Sequence, residues 1–217
     1  MTIAAGAPIK VLLVDDHPVV RTGYRHLLQS APGIAVVAEA DDSASAYEAF
    51  KALEPDVVVM DISLPGASGI EAMKRMQARR PQSRVLIFSM HDEAIFVSRA
   101  LRSGAAGFLS KASAPERLIE AVRAVARGES YASGEPGERA AGLGAAGSGG
   151  RLNDLSHREA EVLRLWAQGL GLEEIGARLG VSGKTVANYQ SLVRQKLGVH
   201  NDVQLMRLAA QIWSGSG

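Results

Sequence analysis

A handful of side chains suited to phosphoryl or metal chemistry stand just past apolar runs of the sequence. Asp15 and Asp16 follow Ile9 to Val14, and Asp61 follows Val57 to Met60. Ser89 follows Val85 to Phe88, and Lys111 follows Gly107 to Leu109 with Ser110 between. In an open parallel sheet, functional groups converge at the carboxyl ends of the strands. These residues are therefore expected to meet in one shallow pocket. Three carboxylates crowded together repel one another, and a divalent cation is the usual remedy. A hard oxygen-only site with few protein ligands suits Mg²⁺, which keeps several waters. A carboxylate can attack a phosphoryl group to form an aspartyl-phosphate, with the metal offsetting charge on the phosphoryl oxygens. A Lys ammonium can pair with another oxygen, and a Ser hydroxyl can hydrogen-bond a third. Asp after a strand is also a common turn or N-cap residue. The whole set, in this order and on one background, is what points to chemistry.

That background alternates. After the first apolar run, Val19, Val20, Tyr24, Leu27 and Leu28 recur at helical steps. Ile34 to Ala38 reads as a strand and Ala44 to Leu53 as a helix closed by Pro55. Val57 to Met60 is a buried-strand run, Ile70 to Met76 a helix closed by Pro81, and Val85 to Phe88 a strand. Ala94 to Leu101 is helical and ended by Gly104. Gly107 to Leu109 is a short strand, and Pro115 opens a helix to about Arg127. Continuous apolar strands alternating with helices predict an α/β fold, a doubly wound five-stranded parallel sheet covered on both faces.

The composition then shifts. Residues 129–150 are dominated by Gly, Ala, Ser and Glu and end in Gly147-Ser148-Gly149-Gly150, which reads as a flexible linker. A short helix within Glu138 to Ala146 is opposed by Gly142 and Gly144. Beyond it every segment is helical. Ser156 with Glu159 forms a capping box, and Val162, Leu163 and Trp166 share a face of the helix that follows, ended by Gly169. Ile175 and Leu179 are one turn apart, Gly180-Val181 makes a tight turn, and Ser182 caps a further helix. That helix buries Val186, Val193 and Leu197 and presents Lys184, Asn188, Ser191 and Gln195. A capped helix with an exposed polar face, after a short helix and a Gly-containing turn, is the helix-turn-helix pattern. A plain helical bundle would show the same periodicity. The expected division is 8–128, a linker at 129–150, and a small all-α domain at 151–217.

The 217 residues hold 24 Lys+Arg and 23 Asp+Glu, 47% hydrophobic residues and no cysteine. Disulfide and thiol chemistry are excluded, and a reducing cytoplasm fits. Neither a membrane span nor a secretory leader is expected. Residues 1–128 carry 15 basic and 14 acidic side chains, so net +1; residues 151–217 carry 8 and 6, so net +2. Nucleic-acid binding would then rest on where charge is placed, because the excess is small. The five histidines show no metal-ligand spacing.

Val14-Asp15-Asp16-His17-Pro18, Met60-Asp61-Ile62-Ser63-Leu64-Pro65-Gly66, Phe88-Ser89 and Gly107-Phe108-Leu109-Ser110-Lys111 resemble the signature of receiver domains over residues 8–128. The resemblance implies Asp61 as phosphoacceptor and Asp15 and Asp16 as the acidic metal pair for Mg²⁺. It adds the Ser63 carbonyl as a backbone metal ligand, Ser89 and Phe108 as a switch pair, and Lys111 as the phosphate-pairing lysine. Phe108 stands where many relatives carry Tyr, so a tyrosine hydroxyl has no part in this switch. His17 reads as a positioning residue beside the pocket.

Leu155-Ser156-x-Arg158-Glu159, Glu174-Ile175-Gly176-x-Arg178-Leu179-Gly180-Val181-Ser182, Lys184-Thr185-Val186 and Lys196-Leu197-Gly198-Val199 resemble the output domain of the NarL/LuxR/FixJ group of response regulators. The implied function is a transcriptional regulator phosphorylated by a sensor histidine kinase or a small phosphodonor. It would bind double-stranded promoter DNA, as a homodimer when phosphorylated. DNA contacts are expected from Lys184, Thr185, Ala187, Asn188, Ser191, Arg194 and Lys196. Ala187 replaces a commonly basic residue, Gly171 and Leu172 replace a commonly polar pair, and Gly183 weakens the start of the recognition helix. Two rival readings are an aspartate-nucleophile phosphohydrolase and a regulator that works without phosphorylation. The first needs a second carboxylate two residues after the nucleophile, where Ser63 stands. The intact set Asp15, Asp16, Asp61, Ser89 and Lys111 argues against the second.

Overall fold

A computed structural model describes residues 7–65, 67–92, 94–132 and 155–213. The chain divides into two compact units, 1–141 and 142–217. Most of the expected linker, and the short helix weighed within it, lie outside the described residues.

The first unit runs β1 (Ile9–Val14), α1 (Pro18–Ser30), β2 (Ile34–Ala40), α2 (Ser43–Leu53), β3 (Val57–Met60), α3 (Gly69–Arg79), β4 (Arg84–Ser89), α4 (Ala94–Arg102), β5 (Gly107–Ser110), α5 (Glu116–Arg127) and β6 (Tyr131–Ala132). The strands order β2-β1-β3-β4-β5-β6, and every pairing is parallel. Five strands match the apolar runs. The sixth, Tyr131–Ala132, falls on residues whose composition reads as linker.

Parallel strands covered on both faces must be apolar on both, and the alternation of side chains shows why. Leu12, Val14, Val58, Met60, Val85, Ile87 and Phe108 point to one face, where Phe50 of α2, Ile70, Met73 and Met76 of α3 and Val97 of α4 close over them. Val11, Leu13, Val57, Val59, Leu86, Phe88 and Leu109 point to the other, under Leu28 of α1 and Leu118, Val122 and Val125 of α5. The order reverses at β1, where β2 and β3 lie on opposite sides. Such a switch point opens a crevice at the strands' carboxyl ends, and an aspartate directly follows both β1 and β3 there.

The second unit holds, among the described residues, α6 (His157–Ala167), α7 (Leu172–Leu179), α8 (Gly183–Leu197) and α9 (Asp202–Trp213). Ser156 and Glu159 close the expected capping box on α6. Gly180 ends α7 at φ 65°, a left-handed conformation that favours glycine. Ser182 caps α8 by accepting from the Thr185 N–H at 3.2 Å. Val162, Leu165, Ile175, Leu179 and Val186 form one core, and α8 packs on both α6 and α7. No helix among the described residues is long and apolar enough to cross a membrane.

Candidate functional site

Each pocket group is placed by a strand end. The β1–β3 pairing runs to Val14 beside Met60, and the Asp61 N–H donates to the Val14 carbonyl at 2.9 Å. Asp15 and Asp61 are thereby brought side by side, and both are buried. From the far end of β5, Lys111 Nζ donates to Asp15 Oδ2 at 2.6 Å and to Asp61 Oδ2 at 2.5 Å. Burial alone would lower the Lys111 pKa. The Asp61 and Asp15 carboxylates outweigh it and hold the ammonium above the ordinary lysine range. The other oxygens receive backbone donors: Asp15 Oδ1 accepts from the His17 N–H at 2.9 Å and Asp61 Oδ1 from the Ser63 N–H at 3.1 Å.

Asp16 is the uncompensated member. Its Oδ1 is buried and receives no hydrogen bond. His17 Nδ1 stands 2.8 Å from that oxygen, a contact that is an ion pair only when the imidazole is protonated. Burial pushes the Asp16 carboxyl up from its ordinary value; Asp61 and Asp15 push it further, against the opposing pull of His17. Asp15, Asp16, His17 and Asp61 each offer a ligand atom, all within 4.8 Å of one another. An orphaned carboxylate oxygen among mutually repelling carboxylates is what a divalent cation relieves, so the residues present fit one.

The Asp16 shift carries a stability consequence. A carboxyl raised in the folded state favours folding fully below its ordinary value, and that contribution is lost as pH rises through the raised value. At neutral pH the ionised Asp16 therefore opposes folding. Asp16→Asn is expected to raise the metal-free melting temperature at pH 7 and to narrow its gain on acidification. A melt at pH 7 and pH 5 without divalent cations checks this; an unchanged or lower midpoint at pH 7 contradicts it.

Other sequence-predicted residues sit less directly. Ser89 is fully buried, and its Oγ accepts from the His91 N–H at 3.2 Å, so it serves its own loop rather than Asp61. Phe108 is buried in the core under α2, α3 and α4. The sequence reading missed Arg21. This α1 residue donates to the Asp15 carbonyl at 2.5 Å and pairs with Glu39 at 3.4 Å, tying the loop that carries the acidic pair to β2. The only available cue is a basic residue one helical turn beyond that loop. Also missed were Tyr24, edge-on to Phe88 at 4.6 Å, and the Phe88 ring beneath Lys111 at 5.9 Å.

On α8 the expected polar face is present. Lys184, Asn188, Ser191 and Gln195 are exposed, Thr185 and Ala187 half-buried, and Val186, Val193 and Leu197 buried. Thr185 Oγ1 lies 2.9 Å from Ser182 Oγ and belongs to the cap. Arg194 pairs with Asp202 at 2.5 Å, and Lys196 pairs with the buried Glu159 at 2.7 Å. Both of these basic side chains are already engaged within the domain.

Comparison with known proteins accounts for both units. Residues 11–123 match the family described as response regulator receiver domain. Residues 153–209 match bacterial regulatory proteins, luxR family. The chain is a response regulator. The transcriptional activator protein ExaE of Pseudomonas putida is 41% identical over 204 residues, covering 93% of this response regulator and 95% of its relative. The transcriptional regulatory protein UhpA of Escherichia coli K12 is 38% identical over 206 residues, covering 94% and 100%. The RcsB response regulator of Salmonella typhimurium matches at TM-score 0.60 with 30% identity, over 94% of this chain and 99% of that one. A second RcsB structure, bound to promoter rprA in the presence of phosphomimetic BeF₃⁻, matches at TM-score 0.64 with 30% identity, over 94% and 98%. This response regulator thus joins a receiver domain to a LuxR-type DNA-binding domain, and regulates transcription.

Proposed function

We propose that phosphorylation of Asp61 switches this regulator's hold on promoter DNA. The observation that carries the reading is the Asp15–Asp61–Lys111 cluster at the switch point of the sheet. Asp61 supplies the nucleophilic carboxylate. One of its oxygens forms a bond to phosphorus while the bond from phosphorus to the donor's leaving atom breaks. The donor is a phosphohistidine of a sensor kinase or a small acyl phosphate. Lys111, kept cationic by its two carboxylates, pairs with a phosphoryl oxygen, and Ser89 can hydrogen-bond another once released from His91. Asp15, Asp16, Asp61 and the Ser63 carbonyl would hold Mg²⁺, which offsets charge on the phosphoryl oxygens. Ser63 is no acid or base, so turnover beyond the protein's own aspartyl-phosphate is not expected. The absence of cysteine suits the reducing cytoplasm, where we place its action.

A single output domain of net +2 holds DNA weakly, and two linked copies gain from effective concentration. RcsB, which this chain resembles, has been described as dimers on DNA. Purified protein treated with acetyl phosphate and Mg²⁺ should therefore shift toward a dimer and bind a selected promoter fragment at least about tenfold more tightly. Equal sedimentation and equal DNA affinity with and without phosphate would overturn the proposal.

The recognition helix is α8, entering the major groove with its N-terminal half toward the bases. Asn188 can pair bidentately with adenine, Ser191 with either base class, and Ala187 can touch a thymine methyl. Lys184 and Thr185 lie in the first turn, where free N–H groups also attract phosphate. Arg194 and Lys196 reach phosphate only by leaving Asp202 and Glu159. Asn188→Ala should cost on the order of 1–3 kcal/mol at one base position, and Lys184→Ala should lower the salt slope by about one across all sequences. Affinities over an operator series at several salt concentrations decide it; unchanged discrimination in the Asn188 variant removes that residue from base readout.

A further inference from the structure

One member of the acidic pocket is a nitrogen donor. His17 follows the acidic pair, and its side chain is 67% exposed. Its backbone N–H is committed to Asp15, which fixes the start of the side chain over the carboxylates. Its Nδ1 lies 2.8 Å from Asp16 Oδ1 and 3.5 Å from Asp15 Oδ1. Neighbouring donors bound at about 2.1 Å to one ion stand roughly 3.0–3.4 Å apart, and the two separations bracket that range.

An ordinary ion pair with Asp16 is the competing account of this contact, and loading the pocket with metal separates the two. Asp16 Oδ1 is buried and receives no hydrogen bond, which leaves it open to a cation. Lys111 meanwhile takes the Oδ2 atoms of Asp15 and Asp61. Their Oδ1 atoms each accept one backbone N–H and keep a lone pair. The open donors are therefore these Oδ1 atoms, Asp16 Oδ1 and His17 Nδ1, all belonging to groups whose ligand atoms lie within 4.8 Å of one another.

We propose that His17 Nδ1 is a direct ligand of the pocket's divalent cation, making a mixed nitrogen–oxygen site that favours Co²⁺ over Mg²⁺ relative to an all-oxygen pocket. Imidazole suits the later first-row transition ions, whereas Mg²⁺ and Mn²⁺ favour oxygen. The inference rests on reading Asp15, Asp16 and Asp61 as the metal pocket, and it deepens that reading by assigning ion preference to a loop histidine.

The test uses the full chain and the metal alone. Mn²⁺-loaded protein should show ¹⁴N coupling in pulsed electron paramagnetic resonance, and His17→Ala should abolish it. Calorimetric titration should show the Co²⁺-to-Mg²⁺ affinity ratio falling by about tenfold in the same variant, the lower end of what losing even an outer-shell partner costs. His17 is exposed, so the variant is expected to fold, and its melt without metal verifies that. Absence of nitrogen coupling in the unaltered protein, its persistence in His17→Ala, or an unchanged affinity ratio each overturns the inference. No phosphodonor is involved. A pocket that shows nitrogen coupling yet accepts no phosphate would refute the proposed function and leave this inference standing.

Discussion

Incubated with acetyl phosphate and Mg²⁺, the Asp61→Asn protein should carry no acid-stable, base-labile phosphate, where the unaltered chain carries one. The amide lacks the negative charge and nucleophilicity of the carboxylate. It can still accept the Ser63 N–H that Asp61 Oδ1 accepts at 3.1 Å, so the β3–α3 loop keeps its anchor. Removing one partner of a buried ion pair costs about 3–5 kcal/mol when it strands the other charge. Here Lys111 retains Asp15 at 2.6 Å, so the loss of stability should fall short of that range. Neither remaining carboxylate is an equivalent acceptor. Both Asp15 oxygens are engaged, by His17 N–H and by Lys111. Asp16 lies outside the reach of that lysine's hydrogen bonds and is needed for the cation. A label near one phosphate per chain in the Asn variant would move the phosphoacceptor elsewhere.

The legible parts of this fold are those in which chemistry is written locally. Apolar runs such as Val57 to Met60 had to be buried strands, and an aspartate directly after such a run had to lie at the sheet's carboxyl edge. The capping box of Ser156 and Glu159 is equally local. What stayed hidden depends on distant partners. Tyr131–Ala132 joins the sheet because Gly107 leaves room: a Cβ there would stand 2.6 Å from the Tyr131 carbonyl. Nothing in a Gly- and Ser-rich stretch announces that pairing. Lys196 looks in sequence like any basic residue at the end of a recognition helix, yet its partner Glu159 is 37 positions away. Arg21 acts on a backbone carbonyl, which has no residue type to read.

The same dependence on a distant neighbour makes Gly69 the position where the smallest added group should do the greatest damage. Gly69 is the first residue of α3, after the buried cap Ser68, and its N–H donates to the Ile62 carbonyl at 2.8 Å. A Cβ on Gly69 would lie 2.0 Å from the Asp61 carbonyl oxygen and 3.0 Å from its carbonyl carbon. Both are backbone atoms, so no rotamer change relieves the overlap. Either α3 retreats, giving up packing of Ile70, Met73 and Met76 against the sheet, or the Asp61 peptide turns and takes the side chain with it. Overpacking typically costs about 1–3 kcal/mol, and a backbone clash this deep should reach the top of that range or beyond. A melting temperature lower by roughly 10–20 °C is expected for the receiver unit. Phosphate labelling should slow by about 100-fold even well below the melt, because a displacement near 1 Å is enough to disrupt an attack geometry. Gly23→Ala provides the control. Nothing lies within 4 Å of a Cβ at that position, and alanine in α1 should stabilise by up to about 1 kcal/mol. A Gly69→Ala protein that melts and labels like the unaltered chain would show that α3 and β3 do not hold the contact described.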